Sequence, residues 1–177
     1  MRKLPLAELG VVRYASQYMK YNHLPKVKEY ISKTPPAFQH YVSKNAEKLF
    51  EHIHPEQYTP KEIEVLVFEE IVEHYKAFKF ATEFIDALEK KDVEKMKTLF
   101  PYVETIPNLK GRERNQKIMY LRLIENIPLV TVGEKYEISR ERVRQIVWCA
   151  IDKMLYHMGH SDGKERYSML RKLLIKR

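Results

Sequence analysis

The segment from residue 129 to residue 158 constrains the fold most, because it holds two amphipathic patterns separated by only three residues. After Ser139, apolar residues recur every three or four positions, which predicts one helix over roughly 140–157 with a single buried face. Ser139 is a preferred residue type for the N-cap of that helix. The apolar stripe consists of Val143, Ile146, Val147, Ala150, Ile151, Met154 and Met158.

A shorter helix is predicted directly before this one, from about 129 to 136. It starts near Pro128, which suits a first helical turn because proline has no amide hydrogen to leave unpaired. The turn Glu137-Ile138-Ser139 joins the two helices, and Gly133 is small enough to let them approach closely. The expected core partners from this region are Val132, Tyr136 and Ile138. Two helices joined by so short a turn indicate a helix-turn-helix.

The other face of the helix over 140–157 is polar near its start. Four of its side chains lie in the first two turns, the part of a recognition helix that enters the major groove of DNA. Arginine suits the acceptors of guanine, glutamine suits adenine, and glutamate can accept from the amino group of cytosine. A solvated helix face is the alternative explanation. The residues on this face are Arg140, Glu141, Arg144, Gln145 and Trp148.

The net charge of +8 is unevenly distributed. Residues 1–110 contain 17 Lys and Arg against 16 Asp and Glu, whereas residues 111–177 contain 15 against 8. A basic excess on one segment is typical of a surface that binds a polyanion. A basic helical domain without such a partner fits the charge alone equally well.

The fold class predicted for the whole chain is all-α, since glycine is scarce and apolar residues recur at helical spacing. The domain prediction is a helical domain over 1–100, a linker over 101–111 that contains Pro101, Pro107 and Gly111, and a helix-turn-helix domain over 112–177. Asp92 is expected to cap the helix that follows it. The remaining helices are predicted near 6–21, 26–32, 36–52, 61–78, 80–90, 92–100, 112–125 and 165–176.

The run VGEKYEISRERVRQI, residues 132–146, resembles the promoter-binding helix-turn-helix in region four of bacterial sigma factors, in the form found in primary sigma factors. That family shows Val-Gly, an aromatic residue four positions after the valine, an aliphatic residue, then Ser or Thr followed by Arg-Glu-Arg-Ile/Val-Arg-Gln-Ile. The resemblance extends over about residues 110–175, including the basic stretch HSDGKERYSMLRKLL after the recognition helix.

The resemblance implies specific partners and contacts. It places the base-reading positions at Arg140, Glu141 and Gln145, with Arg144 contacting the DNA backbone or a base. Arg142 matches the motif and is expected to face a phosphate or to form an ion pair within the protein. The family also docks this domain on the flap of RNA polymerase core through the surface of its first helix. The predicted DNA-contacting set is Ser139, Arg140, Glu141, Arg142, Arg144, Gln145 and Trp148.

Parts of the chain depart from the family pattern. Pro128, Val130 and Thr131 stand where the family usually has a capping threonine and two acidic residues, and Asp152 stands where it is often basic. The stretch YKAFKFATEFI, residues 75–85, has a short likeness to the aromatic run of sigma region two, but a core helix is the preferred interpretation.

Other kinds of site are not favoured. His52 with His54, and His157 with His160, lack the further ligands of a metal site, so no metal and no cofactor is expected. Cys149 lies beside the apolar stripe without an evident base, and we expect it to be packed rather than catalytic. No phosphate loop, nucleophile elbow or paired carboxylates occur, so the chain is not expected to be an enzyme.

The leading hypothesis is a sigma-like initiation factor that binds RNA polymerase core and double-stranded promoter DNA. The first alternative is a regulator that binds the polymerase or another sigma factor and inhibits or redirects transcription. The second alternative is a conventional helix-turn-helix repressor or activator that dimerises on a palindrome. With no apolar run long enough to span a membrane and one cysteine, the expected location is the bacterial cytoplasm, and a phage origin is compatible with it.

Overall fold

The computed structural model describes residues 24–54, 57–106 and 113–158, and Leu170. These residues form helices and contain no β-strand, which confirms the predicted all-α class. The predicted helix over 6–21 and, apart from Leu170, the predicted helix over 165–176 lie outside the described residues. The elements are α1 (Pro25–Ser32), α2 (Pro36–Phe50), α3 (Pro60–Lys90), α4 (Val93–Leu99), a 3₁₀ helix (Phe100–Thr105), α5 (Glu113–Leu123), α6 (Leu129–Lys135) and α7 (Arg140–His157).

Proline and capping side chains set where these helices begin. Proline occupies the first turn of α1 and α2, where its missing amide hydrogen leaves no bond unmade. Asp92 is the N-cap of α4, and its carboxylate accepts a 3.0 Å hydrogen bond from the amide of Lys95. This bond confirms the cap predicted from the sequence.

Helix α3 is one continuous helix of 31 residues, so the prediction of two helices over 61–78 and 80–90 is wrong. No glycine or proline interrupts residues 61–90, and the backbone therefore has no local reason to break. The helix ends where Lys91 adopts a left-handed conformation with φ of 58°.

By the density of contacts, the chain divides into two compact units, Met1–Tyr75 and Lys76–Arg177. The first unit carries 10 basic and 10 acidic residues, and the second carries 22 and 14, so the second accounts for the whole net charge of +8. In the predicted linker, Val103 and Ile106 are buried, and residues 107–112 lie outside the described part. The predicted domain boundaries stay a prediction.

In the first unit, α1, α2 and the start of α3 enclose an aromatic core. Phe38 and Tyr41 are fully buried, and the ring of Phe38 lies 4.9 Å from that of Tyr75. Every fourth residue of the first turns of α3 is buried, namely Ile63, Val67 and Ile71. This spacing gives α3 one apolar face towards the core.

A chain of polar groups joins α2, the residues after it, and α3. The hydroxyl of Tyr41 lies 3.5 Å from Nδ1 of buried His74, whose Nε2 lies 3.1 Å from Glu70 Oε1. The second oxygen of Glu70 lies 3.5 Å from Nε2 of His52. The hydrogen bond from His74 lowers the pKa of the Glu70 carboxyl, although burial works against it.

Replacing Glu70 by alanine should lower the free energy of unfolding by about 1–2 kcal/mol, because buried His74 loses a partner. The lowered pKa makes this stabilisation present above the ordinary value of 4.5, and it is lost as the pH falls through the folded-state pKa. Thermal unfolding across the acid range should show the variant and the parent converging at low pH. Glu69→Ala, an exposed neighbour, is the control; an equal loss in both variants contradicts the assigned role.

The second unit has a larger core, to which residues 77–88 of α3, α4, the 3₁₀ helix, α5 and α7 all contribute. Phe84, Ile106, Met119 and Ile151 are almost fully buried in it. Helix α7 therefore rests on elements that precede the helix-turn-helix in the chain. None of the helices in the described part is both long and apolar enough for a bilayer span.

Candidate nucleic-acid interface

Helices α6 and α7 meet at a tight corner. The amide of Ile138 donates a 2.9 Å hydrogen bond to the carbonyl of Gly133, and Glu137 adopts a left-handed conformation with φ of 53° to allow it. Ser139 then caps α7, with its Oγ accepting a 3.1 Å hydrogen bond from the amide of Arg142. The predicted cap and the predicted span of α7 are confirmed.

Position 133 has no room for a side chain, so a glycine is required at this corner. A Cβ built on it would lie 2.6 Å from the carbonyl oxygen of Ile138, which is backbone and cannot swing away. The sequence predicted that a small residue here lets the helices approach. In the structure, the group that comes closest belongs to the turn between them.

Gly133→Ala should lower the free energy of unfolding by about 1–3 kcal/mol, as overpacking typically does. The clash has to exceed the gain of about 1 kcal/mol that alanine normally brings to a helix. Chemical denaturation measures the change, with Glu134→Ala on the exposed face of α6 as the control. A Gly133→Ala protein as stable as the control would mean that the turn can relax.

A small apolar cluster holds the corner together. Ile118 of α5, Val132 of α6 and Val143 of α7 are fully buried against one another. Tyr136 and Ile138 pack at its edge, as the sequence predicted. Arg114 of α5 also donates a 2.7 Å hydrogen bond to the carbonyl of Tyr136, which closes the end of α6.

The beginning of α7 presents polar side chains to solvent. Arg140, Glu141, Arg142 and Gln145 are exposed and Arg144 is half-buried, so five of the predicted residues share the start of one helix. Trp148 is different: it is only 9% exposed and belongs to the core, so the expectation that it lies on the open face is wrong. Cys149 is exposed, which contradicts the expectation that it is packed.

Two side-chain pairs organise this surface. Arg144 donates two hydrogen bonds to the carboxylate of Glu141, at 2.8 Å and 2.5 Å. Arg142 donates to Oε1 of Gln145 at 3.1 Å. The hydrogen bond from Arg144 lowers the pKa of Glu141, and the positive charges of Arg144 and Arg140 lower it further. Glu141 therefore stays an anion and an acceptor at neutral pH.

Arg122 was not singled out by the sequence interpretation and is 3% exposed. Its Nη1 donates to Asn126 Oδ1 at 3.1 Å and to the carbonyl of Ile127 at 3.4 Å, just before α6 begins. It also lines a cavity of about 450 Å³ beside α7, together with Arg140 and Arg144. The sequence did contain a signal for this residue, since Arg122 stands inside the apolar run from Met119 to Ile124. An arginine buried in such a run is expected to have polar partners.

Of the histidines considered for metals, His52, His54 and His157 lie in the described part of the chain. Within residues 24–54, 57–106 and 113–158, no three His, Cys, Asp or Glu side chains are placed to hold a metal ion. His157 is buried, and its predicted companion His160 lies outside the described residues.

Part of the chain matches a known protein family. The family model described as Sigma-70, region 4 matches residues 112–154, which contain α5, α6 and most of α7. The comparison with curated proteins and the comparison with solved structures each found no match. The match confirms the resemblance drawn from the sequence, and this domain is a DNA-binding regulatory unit rather than an enzymatic family. Residues 112–154 thus match sigma-70 region 4, a family of helix-turn-helix domains, and this match suggests DNA-binding transcription regulation.

Proposed function

We propose that this protein is a sigma-like initiation factor that binds RNA polymerase core and recognises an upstream promoter element through α7. The observation that carries the proposal is the exposed polar start of α7, held by a rigid corner inside the region 4 match. The positive charge of the second unit supports binding to DNA phosphates. Such a factor works in the bacterial cytoplasm, where promoters are.

The proposed reading residues are Arg140, Glu141 and Gln145, which lie in the first two turns of α7. Arginine can bond both acceptors of guanine, ionised Glu141 can accept from a cytosine amino group, and Gln145 can pair with adenine. Arg142 and Arg144 are assigned to phosphates near the helix start. Ser139 fixes where the helix begins, and Trp148 is largely buried in the core of the second unit.

Arg140→Ala and Gln145→Ala should each weaken promoter binding by about 1–3 kcal/mol and relax preference at one base position. Arg142→Ala should instead weaken all sequences alike and reduce the salt dependence by about one unit of slope. Binding to a duplex library with randomised positions separates these effects. Lys90→Ala, which removes an exposed charge from α3, is the control. Unchanged base preference in both reading variants would count against this face.

A groove on α5 and α6 is the proposed polymerase contact. It measures about 390 Å³ and is lined by Phe100, Tyr120, Leu121 and Tyr136, with Lys117 and Lys135 among the charged side chains around it. Phe100 and Tyr120 meet edge to face at 5.1 Å, which gives the groove an ordered aromatic wall. The groove shares no residue with the cavity beside α7, so one domain can hold the polymerase flap and DNA at once.

Lys135→Glu in this groove should reduce binding to RNA polymerase core while leaving binding to duplex DNA within about twofold, because Lys135 is exposed and lies outside α7. Arg140→Ala should instead reduce binding to duplex DNA and leave binding to RNA polymerase core within about twofold. Pull-down of core polymerase and duplex binding, measured on the same preparations, test this separation. Loss of both activities in either variant would mean that the two surfaces are not independent.

The decisive experiment is transcription with core polymerase that is free of other sigma factors, on a fragmented genomic library. Discrete start sites that share an upstream element establish initiation. Binding to the polymerase without initiation supports the alternative, a regulator that inhibits or redirects transcription. One observation favours that alternative: the family match covers residues 112–154, and the part of the chain before them is not recognised as a sigma region. Binding to a palindrome as a dimer, without polymerase, would indicate a conventional repressor or activator.

A further inference from the structure

We propose that Arg114 and Arg122 of α5 are positioning residues, which hold the two ends of α6 and so set the direction in which α7 presents its reading residues. The inference rests on the proposed function, because it concerns the same DNA-binding face. Basic side chains in a domain that binds DNA are commonly ligands of phosphate groups. The contacts of these two arginines indicate a different role, since both guanidinium groups donate to backbone carbonyls of the protein itself.

Arg122 holds the chain where it enters α6. Its side chain is 3% exposed, and Nη1 donates to Oδ1 of Asn126 at 3.1 Å and to the carbonyl of Ile127 at 3.4 Å. Asn126 adopts a left-handed conformation with φ of 55°, so the chain turns at this residue. Ile127 is followed directly by Pro128, the N-cap of α6. The buried guanidinium therefore fixes the point from which α6 starts.

Arg114 holds the other end of α6. Its Nη2 donates a 2.7 Å hydrogen bond to the carbonyl of Tyr136, the C-cap residue. The last carbonyl groups of a helix have no partner within the helix, and a cation beside them is favourable because the helix dipole is negative there. Glu137, whose left-handed backbone forms the turn to α7, follows directly. The bond from Arg114 therefore secures the residue from which the turn departs.

The spacing of the two arginines matches the length of α6. They are eight residues apart, which is about 12 Å along the axis of α5, and the seven residues of α6 span about 10 Å. The buried residues of α6, Val132 and Gly133, lie near its middle. A helix of two turns has little stability of its own, and one held only at its middle can tilt. Bonds at both ends oppose that tilt and fix the direction of α6.

The direction of α6 is passed on to the reading face. The amide of Ile138 is bonded to the carbonyl of Gly133, so the turn and the start of α7 follow any movement of α6. Loss of a positioning residue should therefore relax the preference at several base positions at once. Loss of a base-reading residue relaxes one position, and loss of a phosphate ligand weakens all sequences alike. These three patterns can be told apart by experiment.

Two substitutions at exposed positions test the inference on the full chain. Arg114→Gln removes one guanidinium, and Asn126→Gly removes an acceptor of Arg122 while glycine keeps the left-handed backbone. In binding to a duplex library with randomised positions, each variant should lose about fivefold of the preference of the parent, as one lost hydrogen bond typically produces. The loss should be spread over several base positions. The slope of log affinity against log salt should stay unchanged, and thermal unfolding checks that each variant is folded.

Matched variants separate the effect of charge from that of geometry. Arg142→Gln, at a proposed phosphate ligand, should reduce the salt slope by about 0.9 and keep the base preference. Lys90→Gln removes an exposed charge from α3 and should change neither quantity. Arg122→Lys keeps the positive charge but lacks the planar fork that reaches two acceptors, so it should lose preference as Asn126→Gly does.

Amide hydrogen exchange without DNA distinguishes a failure of this inference from a failure of the proposed function. In Arg114→Gln and Asn126→Gly, the amides of residues 127–138 should exchange about fivefold faster than in the parent, because one bond that holds this segment is lost. A parent protein without base preference overturns the proposed function, and the exchange rates then decide the inference by themselves. Parent-like exchange over 127–138 overturns it. So does an Arg114→Gln protein that keeps the base preference and loses salt slope as Arg142→Gln does, because Arg114 would then be a phosphate ligand.

Discussion

The contact between Gly133 and the backbone of Ile138 fixes the geometry on which the proposed DNA recognition depends. No side chain larger than hydrogen fits between them, and the hydrogen bond from Ile138 to the Gly133 carbonyl closes the turn. Because the turn is closed, Ser139 is held at the N-cap, directly before Arg140, the first residue of α7. The start of α7 in turn decides which side chains point outward, since each residue rotates the helix by about 100°. A shift of one residue there would bury a reading residue and expose the apolar stripe.

The polar face that results is organised before any DNA arrives. Arg144 donates a hydrogen bond to Glu141, and Arg142 donates one to Gln145. In each pair the two residues are three positions apart on the helix. Pairs as exposed as these contribute little to stability, so exchanging them for contacts with DNA costs little. They do restrict the side-chain conformations, which lowers the entropy lost on binding. The ionised carboxylate of Glu141 also reduces the local positive charge, and in the proposed function this favours base recognition over unselective attraction to phosphate.

Local signals allowed much of this site to be predicted from the sequence. The cap at Ser139, the span of α7 and the role of Gly133 each depend on residues close together in the chain. Trp148 was expected on the open face and Cys149 in the packed interior, whereas the structure buries Trp148 and exposes Cys149. The burial of these side chains depends on neighbours that are distant in the sequence. Residues 77–88 of α3 and the 3₁₀ helix complete the core that takes in Trp148, and no periodicity within α7 reveals that. The prediction of two helices within α3 was wrong for a related reason. The helix is continuous because no glycine or proline interrupts it, and no residue pattern in the sequence marks that continuity.

The net charge of this chain can attract nucleic acid in general, but it cannot select a particular DNA sequence. The first unit is neutral over its length, and the second carries a net charge of +8. A field of that sign attracts any nucleic acid and weakens steeply with salt, but it cannot distinguish sequences. In the proposed function, discrimination comes from a few side chains whose positions are fixed, and we assign it to those at the start of α7. In the proposed function, the corner at Gly133 is therefore what converts a general affinity for DNA into a preference among sequences.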